Sequence, residues 1–288
     1  AEEMERDPNV FLLGEDIGGF GGAFKVTEGL QARFGEQRVI DTPIAEAGIV
    51  GAAAGAAHYG MRPVVEMQFI DFISCAYDML TNYAATARYR AFLPCSIVVR
   101  GPSGGYVRGG PFHSQNPEAA FLHTPGLKIA YPATAEDAKG LIKSAIRDPD
   151  PVLFFEHKYL YRRIKGVMPP GDHLVPFGKA RVAREGKDLT IVTYAATVWK
   201  ALEAAEQLAA EDGLSVEVLD LRTLLPMDHE AIVASVKKTN RVLIVHEDTV
   251  TGGVAGEITA QISERCFEWL DAPIRRVAAH DVPLPYAP

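Results

Sequence analysis

The chain has 288 residues, 48% of them hydrophobic, with 37 acidic side chains against 29 basic ones and a formal net charge of −8. That balance, with no long Lys/Arg tract, argues against nucleic acid or an anionic membrane as the main partner. No apolar run reaches the roughly 20 residues needed to span a bilayer, and the length suits one large domain or two ordinary ones.

In chain order, "NVFLLGED", "RVID", "PVVEMQF", "SIVVRG", "LKIAYPA" and "PVLFFEHK" are short apolar, β-branched runs in the first half. They are nearly continuous in apolar character, as expected for parallel strands covered on both faces. Helical patterns separate them, notably "FISCAYDMLTNYAATARYRA" and "AEDAKGLIKSAIRD". Residues 159–188 are rich in Pro, Gly and basic side chains and read as a connector with room for one short strand. The alternation then resumes, with strands "LTIVTYAA", "VEVLDL", "RVLIVHED" and "IRRVAAHD" around helices near 197–212, 228–239 and 253–270. The pattern predicts two open, mostly parallel α/β domains, 1–158 and 189–288, with sites at the carboxyl ends of strands.

Three stretches carry candidate chemistry. In "IDTPIAEAGIVGAAAG" the strand closes at Asp41 and Thr42, Pro43 starts a turn, and Glu46 falls in the first turn of a helix of small residues. An acid there can simply complement the helix macrodipole. Small residues all round, however, predict close packing on every side, where a carboxylate is costly unless a ligand or donor meets it. Such a group is suited to exchanging a proton with a heterocycle. The second stretch, "EMQFIDF", ends a strand with Glu66, Gln68, Asp71 and Phe72, although Phe72 by itself reads equally as core. The third is the Gly-rich loop "GPSGGYVRGGPFHSQNPEA", which presents His113, Ser114 and Gln115 just before a helix, a common setting for functional residues.

"GEDIGGFGG" follows the first strand, but Gly14 and Gly18 do not have the G-x-G-x-x-G dinucleotide spacing, which disfavours a nucleotide-dependent oxidoreductase. Cys75, Cys95 and Cys266 are isolated and lie in apolar surroundings. They predict buried, reduced thiols of a cytosolic or matrix-like compartment, with neither a disulfide framework nor a zinc site.

Taken together, "FLLGEDIG", "DTPIAEAGIVGAAAGAA", "RPVVEMQFIDF", "HSQNPEA", "GLKIAYPATAEDAKGLIKSAIRDPDP" and "VLDLRTLLPMD" resemble one family over essentially the whole chain. It is the β subunit of the decarboxylating component of 2-oxo acid dehydrogenase complexes, enzymes of bacterial cytoplasm or the mitochondrial matrix that use thiamine diphosphate. The resemblance implies a pyrimidine-binding domain followed by a transketolase-like C-terminal domain. It implies that Glu46 meets a ring nitrogen of the aminopyrimidine and shares a proton with it. Gln68 and Phe72 would lie beside and over that ring, with Ile44 in the same pocket. His113 would stand near the reacting carbon and assist transfer of the acyl group to a lipoyl arm, and Glu15 would link paired sites through a proton path.

The resemblance also implies a potassium site at Ile97, Ala145, Ile146, Asp148 and Asp150, with Asp150 standing where relatives often have Asn. Pro149 and Pro151 stopping a helix explain the same prolines without a metal. The chain has no G-D-G motif, the element with which such enzymes hold the diphosphate through Mg²⁺. The implied partner is therefore an α subunit that binds the Mg²⁺-diphosphate, in a heterotetramer of two α and two β chains that serves a lipoyl acyltransferase core. The substrate would be a 2-oxo acid such as pyruvate or a branched-chain acid. The alternatives are an acetoin dehydrogenase β subunit and a non-catalytic scaffold that binds the core.

Overall fold

The β-branched runs of the first half form strands β1 (Val10–Gly14), β2 (Val39–Asp41), β3 (Arg62–Glu66), β4 (Val98–Ser103), β5 (Lys128–Ala130) and β6 (Val152–His157) in a computed structural model that describes residues 1–286. The second half adds β7 (Arg181–Arg184), β8 (Leu189–Thr193), β9 (Val216–Asp220), β10 (Thr223–Leu225), β11 (Val242–Thr249) and β12 (Arg275–Ala279). One sheet has the order β10-β5-β6-β4-β3-β1-β2 and the other β12-β11-β8-β9-β7. Within each sheet every pairing is parallel except those of β10 with β5 and β7 with β9.

β7 is the short strand expected inside the basic, Pro-rich connector, and one strand departs from the pattern read from sequence. β10 comes from the second half of the chain yet caps the first sheet, with Thr223 opposite Ala130. The residues that place it, "RTLLP", are too few to show a period, and the pairing is decided by where β9 delivers the chain. The segment expected as one helix from Phe72 also breaks up. It becomes a 3₁₀ helix (Ile70–Ala76), a π-helical turn (Met79–Ala84) and a short α-helix (Ala87–Ala91). Ile70, Ile73 and Leu80 nevertheless stay fully buried.

Apolar side chains from both halves share one core, in which Val99, Leu153 and Phe155 of the first sheet join Val192, Leu219 and Ile244 of the second. The Glu46–His58 helix covers the first sheet and also packs on the Ile70–Ala76 helix. It does so with Ile49, Val50, Ala53, Ala54 and Ala57. Its other side, with Ala47, Gly48 and Ala52, is exposed. This corrects the expectation of packing on every side: one helix on one sheet can bury only one stripe. Cys95 and Cys266 are buried free thiols, but Cys75 is exposed, because it sits on the outward side of the Ile70–Ala76 turn.

Candidate active site

In the first sheet β1 lies between β2 and β3, and the chain leaves β1 toward β2 but leaves β3 toward β4. Adjacent strands whose connections diverge open a crevice at their carboxyl ends. Glu15 and Asp16 follow β1 there, and Gln68 follows β3. Gln68 Nε2 donates to Asp16 Oδ2 at 3.0 Å across the crevice, so its amide oxygen faces away from that bond and is free to accept another. Asp16 holds a left-handed backbone with φ 56°, a conformation Asp tolerates better than most side chains.

Glu46 stands at the first residue of its helix on the rim of this crevice. It is half-buried, and Ile44 two residues earlier is 81% exposed. The expected burial of the carboxylate is therefore not met within this chain. The sheet covers one side of the helix start and leaves the Ile44 side open. Glu15, by contrast, is buried, and burial first, then the Glu46 and Asp16 charges, push its carboxyl above the usual range. Thr42 Oγ1, in the turn leading to Glu46, is buried without a hydrogen-bond partner. Together these residues offer a carboxylate, a free amide oxygen and an open apolar rim, a set that fits the polar edge and flat faces of an aminopyrimidine.

His113 lies among aromatic rings. Phe69 and Phe72 both meet it edge-on, with centroids 4.5 and 5.5 Å from the imidazole, and Phe112 lies 5.0 Å away. Phe72 is half-buried, so it is not simply core. The loop is tied down where Gln115 N donates to Asp71 Oδ1 at 2.9 Å. The helix bearing Phe72 packs on the helix bearing Glu46, so the fold brings Glu46, Gln68, Phe72 and His113 to one end of the first sheet.

The five residues assigned by resemblance to a potassium ion also fall together, at the opposite end of the sheet. Ile97 O accepts from Val152 N at 2.9 Å, Ala145 O from Asp148 N at 3.2 Å, and Ile146 O from Arg62 Nη1 at 2.8 Å. Lys128 Nζ donates to both Asp148 oxygens at 2.7 and 2.6 Å and lies 3.4 Å from Asp150. Protein donors meet these oxygens, the cationic side chains of Arg62, Lys128 and Arg88 among them, and each carbonyl keeps a second lone pair. Among the described residues no group of three or more His, Cys, Asp or Glu side chains is placed to hold a metal.

Residues 1–163 match the transketolase pyrimidine-binding domain, and residues 178–288 match the transketolase C-terminal domain. The chain is 56% identical to the 2-oxoisovalerate dehydrogenase subunit beta of Bacillus subtilis (strain 168), over 100% of this chain and 88% of that one. It belongs to the β subunits of the thiamine-diphosphate-dependent 2-oxo acid dehydrogenases. Within this β-subunit family it is 46% identical to the mitochondrial pyruvate dehydrogenase E1 component subunit beta-2 of Oryza sativa subsp. japonica, over 99% of this chain and 77% of that one. A solved split-gene transketolase, described as an inactive beta4 tetramer, superposes with a TM-score of 0.79 at 25% identity, covering 98% of this chain and 85% of that one. Relatives of this β subunit include bacterial and mitochondrial proteins, and no helix among the described residues is long and apolar enough to cross a membrane.

The fold of the β subunit also gathers polar groups that the sequence did not single out. Glu247 on β11 of the second sheet reaches the first sheet, where its Oε2 lies 2.6 Å from His157 Nε2 and its Oε1 accepts from Gly105 N at 2.6 Å. Lys158 is 4% exposed beside it. Arg100 is buried between Glu66 and Glu156, with its Nη2 bonded to Glu156 at 2.6 Å. A cleft of about 820 Å³ between the two sheets' carboxyl ends is lined by Asp71, Phe112, Gln115, Asn116, Glu247 and Asp248 among others. The rule that sites form at strand ends points to Glu247, which lies near the end of "RVLIVHED". Nothing local points to Lys158.

Proposed function

We propose that this chain forms the pyrimidine-facing half of a thiamine diphosphate site in an enzyme that decarboxylates a branched-chain 2-oxo acid and passes the acyl group to a lipoyl group. A partner α chain holds the diphosphate through Mg²⁺, in an assembly of two α and two β chains bound to the acyltransferase core. The observation that carries this reading is the crevice between β1 and β3, where Glu46, Gln68, Glu15 and Asp16 meet with one side open at Ile44. An open, half-walled polar crevice is what a cofactor shared with another chain requires. The higher identity to the relative named for 2-oxoisovalerate than to the one named for pyruvate supports the branched-chain substrate.

When bound, the cofactor supplies the nucleophilic carbon and electron sink that allow a 2-oxo acid to lose CO₂. The residues of this chain supply orientation and proton control. The Glu46 carboxyl holds a proton at its Oε atoms for exchange with a ring nitrogen, and closure of the Ile44 side by the partner keeps that proton from solvent. Gln68, anchored by Asp16, turns its amide oxygen toward an amino donor. Phe72 presents an aromatic face for stacking. His113, held among Phe69, Phe72 and Phe112, places an imidazole on the substrate side, where it accepts or returns a proton during acyl transfer. Glu15, with its raised pKa, is suited to keep a proton next to Glu46.

The test is to co-express this chain with its α partner and measure CO₂ release from 3-methyl-2-oxobutanoate, pyruvate and acetoin, with thiamine diphosphate and Mg²⁺ supplied. Turnover of the branched-chain acid ahead of the other two is expected. Preference for pyruvate or acetoin overturns the substrate assignment, and tight calorimetric binding of thiamine diphosphate by this chain alone overturns the shared site.

A further inference from the structure

Two buried, oppositely charged groups near the His113 loop each leave a polar atom without a hydrogen-bond partner. Lys158 is 4% exposed and its Nζ is unpaired, and Asp71 is 6% exposed and its Oδ2 is unpaired. A buried ammonium or carboxylate without a partner is expensive, and a fold retains one where its charge is used. Both groups converge on the His113 loop. Lys158 Nζ sits over the Phe69 ring, 5.7 Å from its centroid, and the Phe69 ring meets His113 edge-on at 4.5 Å. Asp71 Oδ1 takes the backbone N–H of Gln115, two residues beyond His113.

We propose that Lys158 is a positioning residue for His113: its ammonium is the counter-charge for Asp71, whose carboxylate clamps the His113 loop through Gln115. Lys158 opens the segment after β6, and its backbone is held by the short 3₁₀ turn Lys158–Leu160. The ammonium is therefore delivered from a strand end to the loop that carries His113, which is how a support for a catalytic side chain is built. The charged and titratable groups facing it are Asp71 from the Ile70–Ala76 helix, Glu247 from β11, His157 from its own strand end, and His113 beyond Phe69. The Asp71 and Glu247 charges favour the ammonium, while burial pushes its pKa down to about 8. Lys158 thus loses its proton just above neutral pH, and the clamp loosens with it.

This inference rests on the reading of His113 as the residue beside the reacting carbon, and the experiment separates the two. In the assembled αβ enzyme, Lys158→Met and Lys158→Arg are compared for acyl transfer, pH dependence and hydrogen exchange of the segment containing Gln115. Lys158→Met is expected to lower kcat by about 10²-fold, the scale of a misplaced catalytic group, and to remove a basic limb near pH 8. It is also expected to speed exchange at Gln115 by about tenfold, as one hydrogen bond weakens. Lys158→Arg is expected to restore most of the rate, and Lys158→Met is expected to cost nothing further in a His113→Ala background. Unchanged exchange at Gln115 in an assembled Lys158→Met enzyme overturns the clamp. An equal loss with and without His113 overturns action through that residue. Full acyl transfer by His113→Ala defeats the reading of His113, while the exchange measurement still decides the clamp.

Discussion

Glu247 Oε2 lies 2.6 Å from His157 Nε2, and the two residues belong to different sheets. The same carboxylate accepts from Gly105 N at 2.6 Å and from Asn116 Nδ2 at 3.3 Å. Three donors from the first half of the chain thus converge on one acid from the second. Burial alone would raise this carboxyl, but the His157 bond and charge and the two amide donors outweigh it and hold the pKa below its ordinary 4.5. The arrangement bolts the two sheets together at the end where the site lies.

Replacing this acid therefore weakens the whole chain. Glu247→Gln keeps one acceptor oxygen and loses the charge, and it is expected to cost about 2–3 kcal/mol of unfolding free energy. Because the folded pKa lies below the unfolded one, the stabilisation from Glu247 is present above pH 4.5 and is lost as pH falls through the lower folded value. Urea unfolding of wild type and variant at pH 7 and near pH 4 measures this. A difference that stays constant between the two pH values contradicts the assignment.

Glu118 has the opposite linkage. It is 1% exposed, accepts from the Tyr194 hydroxyl at 2.8 Å, and leaves its second oxygen unpaired. Burial first, then the Asp248 charge, push its pKa up to about 8. The folded state keeps this proton between pH 4.5 and 8 while the unfolded chain releases it, so stability falls as pH rises through that window. Glu118→Gln mimics the protonated acid and removes the dependence. The variant is expected to match wild type near pH 4.5 and to be the more stable protein at pH 8.5. Each kcal/mol gained there raises the unfolding temperature by about 2–4 °C. Calorimetric scans showing parallel pH profiles would refute the reading.

Gly104 closes the first sheet's contact with His157. Its φ is +78°, and a Cβ there would stand 2.1 Å from His157 Nε2. Gly104→Ala must displace the imidazole from Glu247 and also force a left-handed backbone on a residue that resists it. The expected outcome is a loss of about 2 kcal/mol or more, together with weaker assembly with the α chain. Wild-type stability in this variant would mean that the His157–Glu247 contact does not govern the interface between the sheets.

Glu46→Gln separates chemistry from folding. The residue is half-buried at a helix start, and no hydrogen bond to another side chain depends on it, so unfolding should change by less than about 0.5–1 kcal/mol, the value of an acid at a helix N-terminus. Turnover by the assembled enzyme should fall by about 10²–10⁴-fold, the range for losing an acid–base group. Retained turnover would remove Glu46 from the mechanism.

The strand runs, the helix that begins at Glu46 and the family motifs were all legible in the linear chain. Local periodicity and turn residues set backbone conformation over short spans, and "PVVEMQF" or "RVLIVHED" carry that signal unaided. The placement of Glu46, Gln68, Phe72 and His113 near strand ends followed from the same signal. The tertiary structure alone decided how deeply each was buried, leaving Glu46 half-open and Cys75 on the surface, because burial depends on what covers the other face of a helix. It alone moved β10 into the first sheet, set Glu247 against His157 and Gly105, and set Lys158 over the Phe69 ring that meets His113. Those contacts join residues up to 142 positions apart, such as Gly105 and Glu247. They are fixed by the shared packing of two sheets, which no local pattern of side chains records.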